Sequence, residues 1–314
     1  MTAIIILNWN GADDTIECLH SLEKAGGCFM VVVADNGSSD DSVCRIRSCS
    51  AGLLYRLEVI ELGQNLGFAA GCNKAIGHAR AFNPDSYLLL NNDTIAEPGF
   101  MERLQNYRHS HPETAVIGPV IRYYGDRNRI WSCGCRLVFG TRKALYHDRD
   151  ISGLAGTGAL PVSFISGCAL MADSNLLDQD GHLLDESLFF GEEDFEFAHR
   201  MRREGRKMAI LTDSTVFHKV GASVRKTSDN RLSGRHYNYY LGRLIVARKY
   251  YNVFLFGIIR LLSRPKCIRW FMKDGLDSRT ARSITARLMR EARTKKGISA
   301  HDFHSMTDGS YFDS

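Results

Sequence analysis

Short apolar runs alternate with helix-like segments over the first hundred residues of this 314-residue chain. Four of these runs are dominated by aliphatic side chains and lead into polar turns: Ala3–Leu7, Met30–Ala34, Val59–Leu62 and Tyr87–Leu90. Runs of this length and composition are typical of strands buried in a parallel sheet. Because helix-like segments separate them, the pattern predicts a layered α/β fold with a mostly parallel sheet.

The segments between these runs carry signals for helices. Asp13 and Asp14 stand where acidic residues favour the first turn of a helix, and the apolar residues that follow them have helical spacing. Leu66–Phe82 is rich in alanine, which suits a helix packed closely on a sheet. Pro98 stands at a position that the first turn of a further helix permits.

The second half of the chain is less regular. Residues 120–162 contain glycines and short apolar runs, which indicate hairpins or a mobile loop on the acceptor side of a site. A strand leading into a short helix is predicted at Ser163–Ala172, and a helix at Glu192–Glu204 that ends at Gly205. Two short strands are predicted after it, at Lys207–Leu211 and Thr215–His218. We expect a main domain over residues 1–233 and a basic, helical region over residues 234–314.

The composition limits the functions and locations that need to be considered. A formal net charge of +5 is too small to indicate a nucleic-acid-binding protein by itself. The nine cysteines show neither regular pairing nor paired zinc-ligand spacing, which favours reduced thiols in an intracellular protein. The N-terminus reads as a first strand without the basic region of a signal peptide, and no apolar run is long enough to span a bilayer. We therefore expect a cytoplasmic protein that binds no nucleic acid.

The sequence LLLNND at Leu88–Asp93 ends an apolar strand on two amides and a carboxylate. Hard oxygen ligands of this kind suit Mg²⁺ or Mn²⁺, which usually also bind the phosphates of a substrate. A polar exit from a strand into a loop is the alternative. We favour the metal site at Asp93, because other acidic motifs accompany it in a plausible order.

Two further motifs follow predicted strands. In VADNGSSDD, Asp35 comes at the carboxyl end of a strand, where ligands bind in open α/β sheets, although an ordinary turn explains the same residues. In NLGFAAGCN, Gly67 and Gly71 allow a backbone to approach a ligand closely and open a helix whose N–H groups favour phosphate. A helix cap with small packing residues is an equally good explanation of the second motif.

An acidic group opens the helix predicted at Glu192–Glu204. Glu192, Glu193 and Asp194 are adjacent there. Acidic residues in a first turn usually complement the helix dipole, yet a carboxylate near a donor site also suits a general base. His218 follows the last predicted strand, and a single histidine is a metal ligand only in the company of other ligands such as Asp93.

Seven motifs follow one another in a characteristic order: ILNWNGADDTIECLHSL, VVADNGSSDDS, NLGFAAGCN, LLLNND, SGCALMA, EEDFEFAHRMRREG and VFHKVGAS. With these motifs, the chain from about Thr2 to Tyr251 resembles family 2 glycosyltransferases of the GT-A fold, especially the rhamnosyltransferase-like branch that builds bacterial surface polysaccharides. The segment His236–Tyr251 is similar to the C-terminal helix of that branch. The resemblance implies a Rossmann-like fold with a mostly parallel central sheet and a C-terminal helical appendage.

The resemblance also implies roles for individual residues. Asp194 would be the catalytic base, with Glu193 beside it, and Asp93 and His218 would hold the metal. The residues at the nucleotide and its diphosphate would be Asn8, Asp35, Asn65, Gly67, Asn73, Asn91 and Asn92. The family's DXD position reads Asn-Asn-Asp here, and the acidic motif carries an additional Glu192.

These observations predict an inverting glycosyltransferase that uses a nucleoside-diphosphate sugar and Mg²⁺ or Mn²⁺. dTDP-rhamnose is the favoured donor, UDP-hexoses remain open, and the acceptor would be a surface polysaccharide or a lipid-linked glycan. A sugar-phosphate nucleotidyltransferase would need a basic phosphate loop after the first strand, where NWNGADD is acidic. A non-catalytic protein that binds sugar nucleotides is the third alternative.

The C-terminal region predicts contact with a membrane. The apolar stretch Val253–Leu262 is too short to span a bilayer, and cations flank it: Arg248, Lys249, Arg260, Arg264 and Lys266. Such a segment can lie in the interface of an anionic membrane. We therefore expect residues 234–296 to work at the inner face of the cytoplasmic membrane, and helices that only pack on the catalytic domain are the alternative.

Overall fold

The computed structural model describes residues 1–220 and 232–312, and within these ranges ten strands form one mixed sheet. The strands, including a separate hairpin of β8 and β9, are β1 Thr2–Asn8, β2 Phe29–Asp35, β3 Arg56–Glu61, β4 Ser86–Leu90, β5 Thr94–Ala96, β6 Thr114–Tyr123, β7 Ile130–Ser132, β8 Cys135–Val138, β9 Thr141–Ala144, β10 Ala159–Val162, β11 Ala169–Asp173 and β12 Lys207–His218. The helices are α1 Ala12–Leu22, α2 Ser42–Cys49, α3 Phe68–Ala79, α4 Phe100–Ser110, α5 Glu193–Arg203, α6 Leu232–Tyr250, α7 Val253–Lys273, α8 Ser278–Thr294 and α9 Ala300–Asp308. The last part of the VFHKVGAS motif, residues 221–223, lies outside the described residues.

The main path through the sheet has the order β10-β12-β6-β11-β4-β1-β2-β3. Strands β1 to β4 are parallel to one another, whereas β11 is antiparallel to both β4 and β6. Strand β6, together with its parallel partner β12, therefore points the same way as β4. The predicted α/β fold with a mostly parallel sheet is confirmed. The carboxyl ends of β1, β2 and β4 meet at one edge, which is where open α/β sheets bind ligands.

The prediction of two short strands near the end of the sheet is wrong. Residues 207–218 form a single strand, β12, whose register against β6 shifts between Leu211 and Thr215. The intervening residues stay in the strand, and two of them have hydrogen-bond partners in segments beside the sheet. Thr212 donates a hydrogen bond from its hydroxyl to the carbonyl of Gly158 at 2.6 Å, and the buried Ser214 donates one to the carbonyl of Phe100 at 3.2 Å.

Other predicted elements are shifted rather than absent. The strand predicted at Ser163–Ala172 occupies Ala169–Asp173, and a short 3₁₀ turn at Ser174–Leu176 follows it. Helix α5 begins at Glu193 because Glu192 is its N-cap residue, with a left-handed φ of 71°. Such a φ is uncommon for a residue other than glycine, so the surrounding structure must hold Glu192 in place.

Apolar side chains form three clusters. Helix α3 packs on one face of the sheet through residues such as Ile76, and helices α1 and α4 pack on the other through residues such as Leu19 and Leu104. The third cluster joins Phe195 of α5 to Tyr237 of α6 and to the helices that follow. The C-terminal region is therefore helical, as predicted, and shares a core with the helix that carries the acidic motif.

Among the described residues, no helix is both long enough and apolar enough to cross a membrane.

Candidate active site

The ends of β1 and β2 place a buried amide beside a buried carboxylate. Asn8 and Asp35 lie opposite each other in the sheet, and Asn8 Nδ2 donates to Asp35 Oδ1 at 2.8 Å. Ser38 donates to the same carboxylate from its backbone N–H at 2.9 Å and from its hydroxyl at 2.5 Å. Thr15 of α1 donates to Asn8 Oδ1 at 2.8 Å. These bonds fix the orientation of Asp35 at the edge of the sheet.

Asn36 connects this edge to the NLGF loop of residues 65–68. It was predicted only as part of a turn. Its side chain is buried and donates to Asn65 Oδ1 at 3.0 Å, while its own oxygen accepts from the backbone N–H of Leu66 at 2.9 Å. Asn65 Oδ1 also accepts from the backbone N–H of Gly67 at 2.9 Å. Side-chain amides therefore hold the loop of residues 65–67 against the end of β2.

Gly67 is the point where this loop touches the acidic segment. The backbone N–H of Phe68 donates to the carbonyl of Phe189 at 3.1 Å, and a Cβ atom on Gly67 would lie 2.0 Å from that carbonyl oxygen. Gly67 also has a φ of 83°, which side chains with a Cβ rarely adopt. Only glycine fits this position, since the close approach and the backbone angle both exclude a side chain.

Asn73 lies in α3, and its side-chain amide is hydrogen-bonded to other residues of the protein. Its Nδ2 donates to the carbonyl of Leu184 at 2.8 Å and to Glu186 Oε1 at 3.0 Å. Its oxygen accepts from the backbone N–H groups of Leu183 and Leu184 at 3.0 and 3.1 Å. These four bonds satisfy the amide, so Asn73 holds the segment before the acidic motif and has no spare group for a nucleotide in this arrangement.

The Asn-Asn-Asp triplet leaves β4 at the same edge. The backbone N–H of Asn91 donates to the carbonyl of Cys168 at 2.9 Å, and Asn92 Nδ2 donates to the hydroxyl of Thr15 at 3.1 Å. Both asparagine side chains are partly exposed, whereas Asp93 is buried. The triplet is thus anchored to α1 and to the loop that precedes β11.

Asp93 and His218 form a buried pair. Strand β5 pairs with the end of β12 so that Thr94 lies opposite His218, and His218 Nε2 lies 3.1 Å from Asp93 Oδ1. The ring of Trp131 stacks edge-on against His218, with the two ring centroids 4.6 Å apart. Burial lowers the pKa of His218, but Cys168 and Asp93 outweigh this effect and raise that pKa to about 10.

The donor set of this pair fits a divalent cation that is shared with a substrate. Asp93 Oδ1 and His218 Nε2 lie 3.1 Å apart, close enough for both to reach one ion if the proton between them is lost. His218 Nδ1 is buried and has no hydrogen-bond partner among the described residues. Within the same residues, no group of three or more acidic, histidine or cysteine side chains could hold a metal. The remaining ligands of such an ion would therefore come from phosphate oxygens, amide oxygens or water, as is usual for Mg²⁺.

The three acidic residues at the start of α5 have different environments. Glu192 is buried between two guanidinium groups: Arg142 donates to its Oε1 at 2.6 Å and Arg243 to its Oε2 at 3.3 Å. Glu193 is buried, and its Oε2 has no partner among the described residues. Burial, assisted by the charge of Asp194, raises the pKa of Glu193 to about 8.

Asp194 is the most accessible of the three carboxylates. Its side chain is 20% exposed, whereas Glu192 and Glu193 are buried. Asp194 Oδ2 accepts from the backbone N–H of Gly167 at 3.2 Å, and Oδ1 accepts from Arg142 at 3.3 Å. Asp194 is therefore an ion-paired carboxylate that still reaches solvent.

The loop Ser166–Cys168 brings the predicted groups together. Gly167 contacts Asp194 through its backbone N–H, and a Cβ atom on Gly167 would meet the ring of Phe68 at 3.4 Å. The next residue, Cys168, accepts a hydrogen bond from Asn91 and interacts with His218. The NLGF loop, the Asn-Asn-Asp triplet and the acidic motif thus surround one loop at the carboxyl edge of the sheet.

Two arginines of this site were not predicted from the sequence. Arg142 comes from the hairpin of β8 and β9, inside the irregular region 120–162, and Arg243 comes from α6. Neither has a local motif that marks it, because only the tertiary fold brings both to Glu192.

Comparisons with known proteins agree with this architecture. The sequence model of the family described as glycosyl transferase family 2 matches residues 3–166. The low-salt glycan biosynthesis hexosyltransferase Agl10 of Haloferax volcanii is 29% identical over 207 residues, which cover 64% of this chain and 62% of that protein. The match thus spans less than two thirds of that relative's length.

Solved structures share the fold. The mannosyltransferase PcManGT of Pyrobaculum calidifontis, solved with GDP-Man and Mn²⁺, has a TM-score of 0.57 at 14% identity, over 99% of this chain and 79% of its own. GalNAc-T7, solved with UDP, GalNAc and Mn²⁺, has a TM-score of 0.61 at 13% identity, over 100% of this chain and 57% of its own. TarS 1–349 of S. aureus has a TM-score of 0.52 at 16% identity, over 100% of this chain and 92% of its own. The family model covers more than half of the chain, and these likenesses confirm the GT-A fold; the chain belongs to glycosyl transferase family 2.

Proposed function

We propose that this protein is an inverting glycosyltransferase that transfers a sugar from a nucleoside diphosphate to an acceptor hydroxyl. The arrangement around the loop Ser166–Cys168 carries the proposal. The buried Asp93–His218 pair meets this loop at Cys168, and the accessible carboxylate of Asp194 contacts it at Gly167. A metal-binding pair and a base at one site are what a displacement at a phosphate-activated carbon requires.

The donor would bind along the carboxyl edge of the sheet. Asn8, Asp35, Asn65 and Gly67 would line the nucleoside, with Asp35 facing the base, while Asn91 and Asn92 would lie toward the diphosphate. The relative in Haloferax is named a hexosyltransferase, and two structural neighbours were solved with GDP-Man or with UDP and GalNAc, which supports a sugar nucleotide as donor. dTDP-rhamnose remains our favoured donor, with UDP-hexoses as alternatives.

Asp93 and His218 would hold Mg²⁺ or Mn²⁺. The 3.1 Å spacing of their ligand atoms supports this assignment, and two neighbours contain Mn²⁺. When bound, such a cation neutralises charge on the departing diphosphate. His218 must give up its proton to act as a ligand, so cation binding would be weaker at acidic pH.

Asp194 would act as the base. It would accept the proton of the acceptor hydroxyl while that oxygen bonds to the anomeric carbon and the bond from this carbon to the diphosphate oxygen breaks. A base must lie within reach of the proton that it removes, so the position of a candidate carboxylate is considered before its pKa. Asp194 reaches solvent, whereas Glu193 is buried and one of its oxygens is fully enclosed.

We also propose that the acceptor is a surface polysaccharide or a lipid-linked glycan, used at the inner face of the cytoplasmic membrane. The exposed face of α7 supports a membrane contact. Val253, Phe254, Leu261 and Leu262 are 60–88% exposed, and α7 contains five cations and no acidic residue. Apolar side chains flanked by cations favour the interface of an anionic bilayer.

Two of the cations predicted to flank the membrane segment are bonded within the protein instead. Arg248 donates to the carbonyls of Ala292 and Lys295, and Lys249 pairs with two carboxylates, so both cations are engaged within the protein. Four cations of α7 after its second turn are exposed: Arg264, Lys266, Arg269 and Lys273. Phe139, at the tip of the β8–β9 hairpin, is 69% exposed, and the adjacent Gly140 lies against Ile259 of α7. This tip extends the apolar surface.

Incubation of the purified protein with single sugar nucleotides tests the activity. We expect slow, Mn²⁺- or Mg²⁺-dependent release of nucleoside diphosphate from one donor, and little release by Asp93→Asn protein. Release of pyrophosphate from a nucleoside triphosphate and a sugar phosphate would instead identify a nucleotidyltransferase. Binding of a sugar nucleotide without turnover, even with candidate acceptors present, would indicate a non-catalytic protein.

A further inference from the structure

Arg142 connects the β8–β9 hairpin to the start of α5. Its side chain is 19% exposed, and the guanidinium lies over the ring of Phe164, with its carbon 4.6 Å from the ring centroid. One nitrogen donates to Glu192 and the other to Asp194. A planar guanidinium can span two carboxylates in this way, whereas the ammonium of a lysine acts as a single point of charge.

Arg243 of α6 meets the same cluster from the other side. It donates to Glu192 at 3.3 Å, and its guanidinium carbon lies 4.5 Å from the centroid of the Tyr239 ring. Among the described residues, no hydrogen bond or ion pair joins Arg243 to Asp194. The two arginines therefore share Glu192, but Arg142 alone of the two reaches the proposed base.

The charges around Asp194 explain why a cation is needed. Titratable or charged groups interact with this carboxylate from two segments: Arg142 and Cys135 from the hairpin, and Glu192 and Glu193 from its own segment. From α6, Arg243 contacts Glu192 and Tyr239 contacts Arg142. The neighbouring carboxylates disfavour a further negative charge, and an adjacent cation favours it. Arg142 is the cation in direct contact.

We infer that Arg142 is a positioning residue, which orients the carboxylate of Asp194 toward the acceptor through one guanidinium nitrogen while another binds Glu192. The inference rests on the proposed function for the role of Asp194. It assigns a task to the β8–β9 hairpin, because strand β9 carries Arg142. It also gives a reason for the left-handed backbone of Glu192, since two arginines hold its side chain.

The test compares Arg142→Gln with Arg243→Gln in the full-length protein. The carboxyl resonance of Asp194 is followed at fixed pH by NMR of ¹³Cγ-labelled aspartate and is assigned through Asp194→Asn, so the readout does not depend on turnover. We expect Arg142→Gln to move this resonance, because the contact between the guanidinium and the carboxylate is lost. We expect Arg243→Gln to leave it near the wild-type position, since Arg243 pairs with Glu192.

Kinetics separates this inference from the proposed function. If the wild-type protein transfers sugar, kcat should fall by about tenfold or more in Arg142→Gln while the KM for the donor stays unchanged. Absence of transfer by the wild type would contradict the proposed function, while the NMR resonance would still test the contact. An Asp194 resonance at the wild-type position in Arg142→Gln would overturn the inference.

Arg142→Lys provides the second variant in case Arg142→Gln does not fold. It keeps the charge but cannot span both carboxylates. We expect an unchanged KM for the donor and a kcat reduced by about tenfold or more. Full kcat in a folded Arg142→Lys protein would show that the bridging geometry is not needed and would overturn the positioning role.

Discussion

His218 Nε2 lies 3.1 Å from Asp93 Oδ1, although 124 residues separate the two along the chain. The pairing of β5 with the end of β12 creates this contact. This buried acid and buried imidazole form the candidate metal site at the carboxyl edge of the sheet.

Asp93→Asn should weaken Mn²⁺ binding, because the amide removes the negative charge that attracts the ion. We expect at least a tenfold weaker affinity in the presence of a nucleoside diphosphate, measured from the electron paramagnetic resonance signal of free Mn²⁺. Asp126→Asn, at an exposed position, is the control and should bind as the wild type does. Equal affinity in all three proteins would exclude Asp93 as a ligand.

Gly67→Ala should destabilise the fold. The new Cβ would lie 2.0 Å from the carbonyl oxygen of Phe189, and the φ of 83° strains any residue with a side chain. Backbone strain of this type costs about 1–3 kcal/mol, and the steric clash adds to that cost. Urea unfolding should therefore show a clearly lower midpoint.

Gly77→Ala is the matched control for Gly67→Ala. It lies in the same helix region, and a Cβ atom there would meet nothing within 4 Å. Alanine in place of a helical glycine typically stabilises by about 0.4–1 kcal/mol. Similar unfolding midpoints for the two variants would contradict the close approach of the NLGF loop to the acidic segment.

Glu193 should make the protein less stable as the pH rises. Its pKa is raised to about 8 in the folded protein, chiefly by burial, and is near 4.5 in an unfolded chain. The folded state therefore binds the proton more tightly, and this contribution to stability is lost between about pH 4.5 and pH 8. In Glu193→Gln that decline should disappear, so the difference in unfolding free energy between variant and wild type should grow over this pH range. A constant difference would show that Glu193 is not held in its neutral form.

The exposed face of α7 should bind anionic vesicles. Phe254→Ser combined with Leu261→Ser removes two apolar groups that are 73% and 67% exposed, so the fold should tolerate the change. We expect vesicle co-sedimentation to fall several-fold in this variant, and binding by the wild type to weaken at high salt. Leu54→Ser, which changes an 85% exposed leucine elsewhere, should bind as the wild type does. Failure of the wild type to bind at low salt would leave α7 as a structural helix only.

Point variants are better than truncation for that measurement. Tyr237 and Leu241 of α6 share a buried cluster with Phe195 of the acidic helix. Removing the chain after about residue 234 would therefore expose the core beside Asp194 and confuse a membrane effect with loss of folding.

The parts of the fold that could be predicted are those encoded locally. β1, β2 and β4 are short apolar runs that end in polar residues, and their order fixes the edge where Asn8, Asp35 and Asp93 emerge. The break predicted inside β12 was wrong because Thr212 and Ser214 find hydrogen bonds in distant segments. Such bonds leave no trace in the periodicity of the strand itself.

The site was predictable only in part for a similar reason. The acidic motif stands out in the sequence, but the different environments of Glu192, Glu193 and Asp194 depend on Arg142 and Arg243. Asn73 was assigned to the nucleotide from the resemblance, and the structure gives it four partners in residues 183–186. The contact between Asn73 and the nucleotide stays a prediction, because the Asn73 amide has no free hydrogen-bonding group in this arrangement.

The most direct test of the account is the rate of sugar transfer by Asp194→Asn, with Glu193→Gln as its partner variant. Asparagine keeps the shape of the side chain but cannot accept the proton, and loss of a general base typically lowers the rate by about 10²–10⁴-fold. We predict such a loss for Asp194→Asn with an unchanged donor Kd, and substantial activity for Glu193→Gln. Near-normal turnover by Asp194→Asn, together with an inactive Glu193→Gln, would contradict the account and assign the base to Glu193.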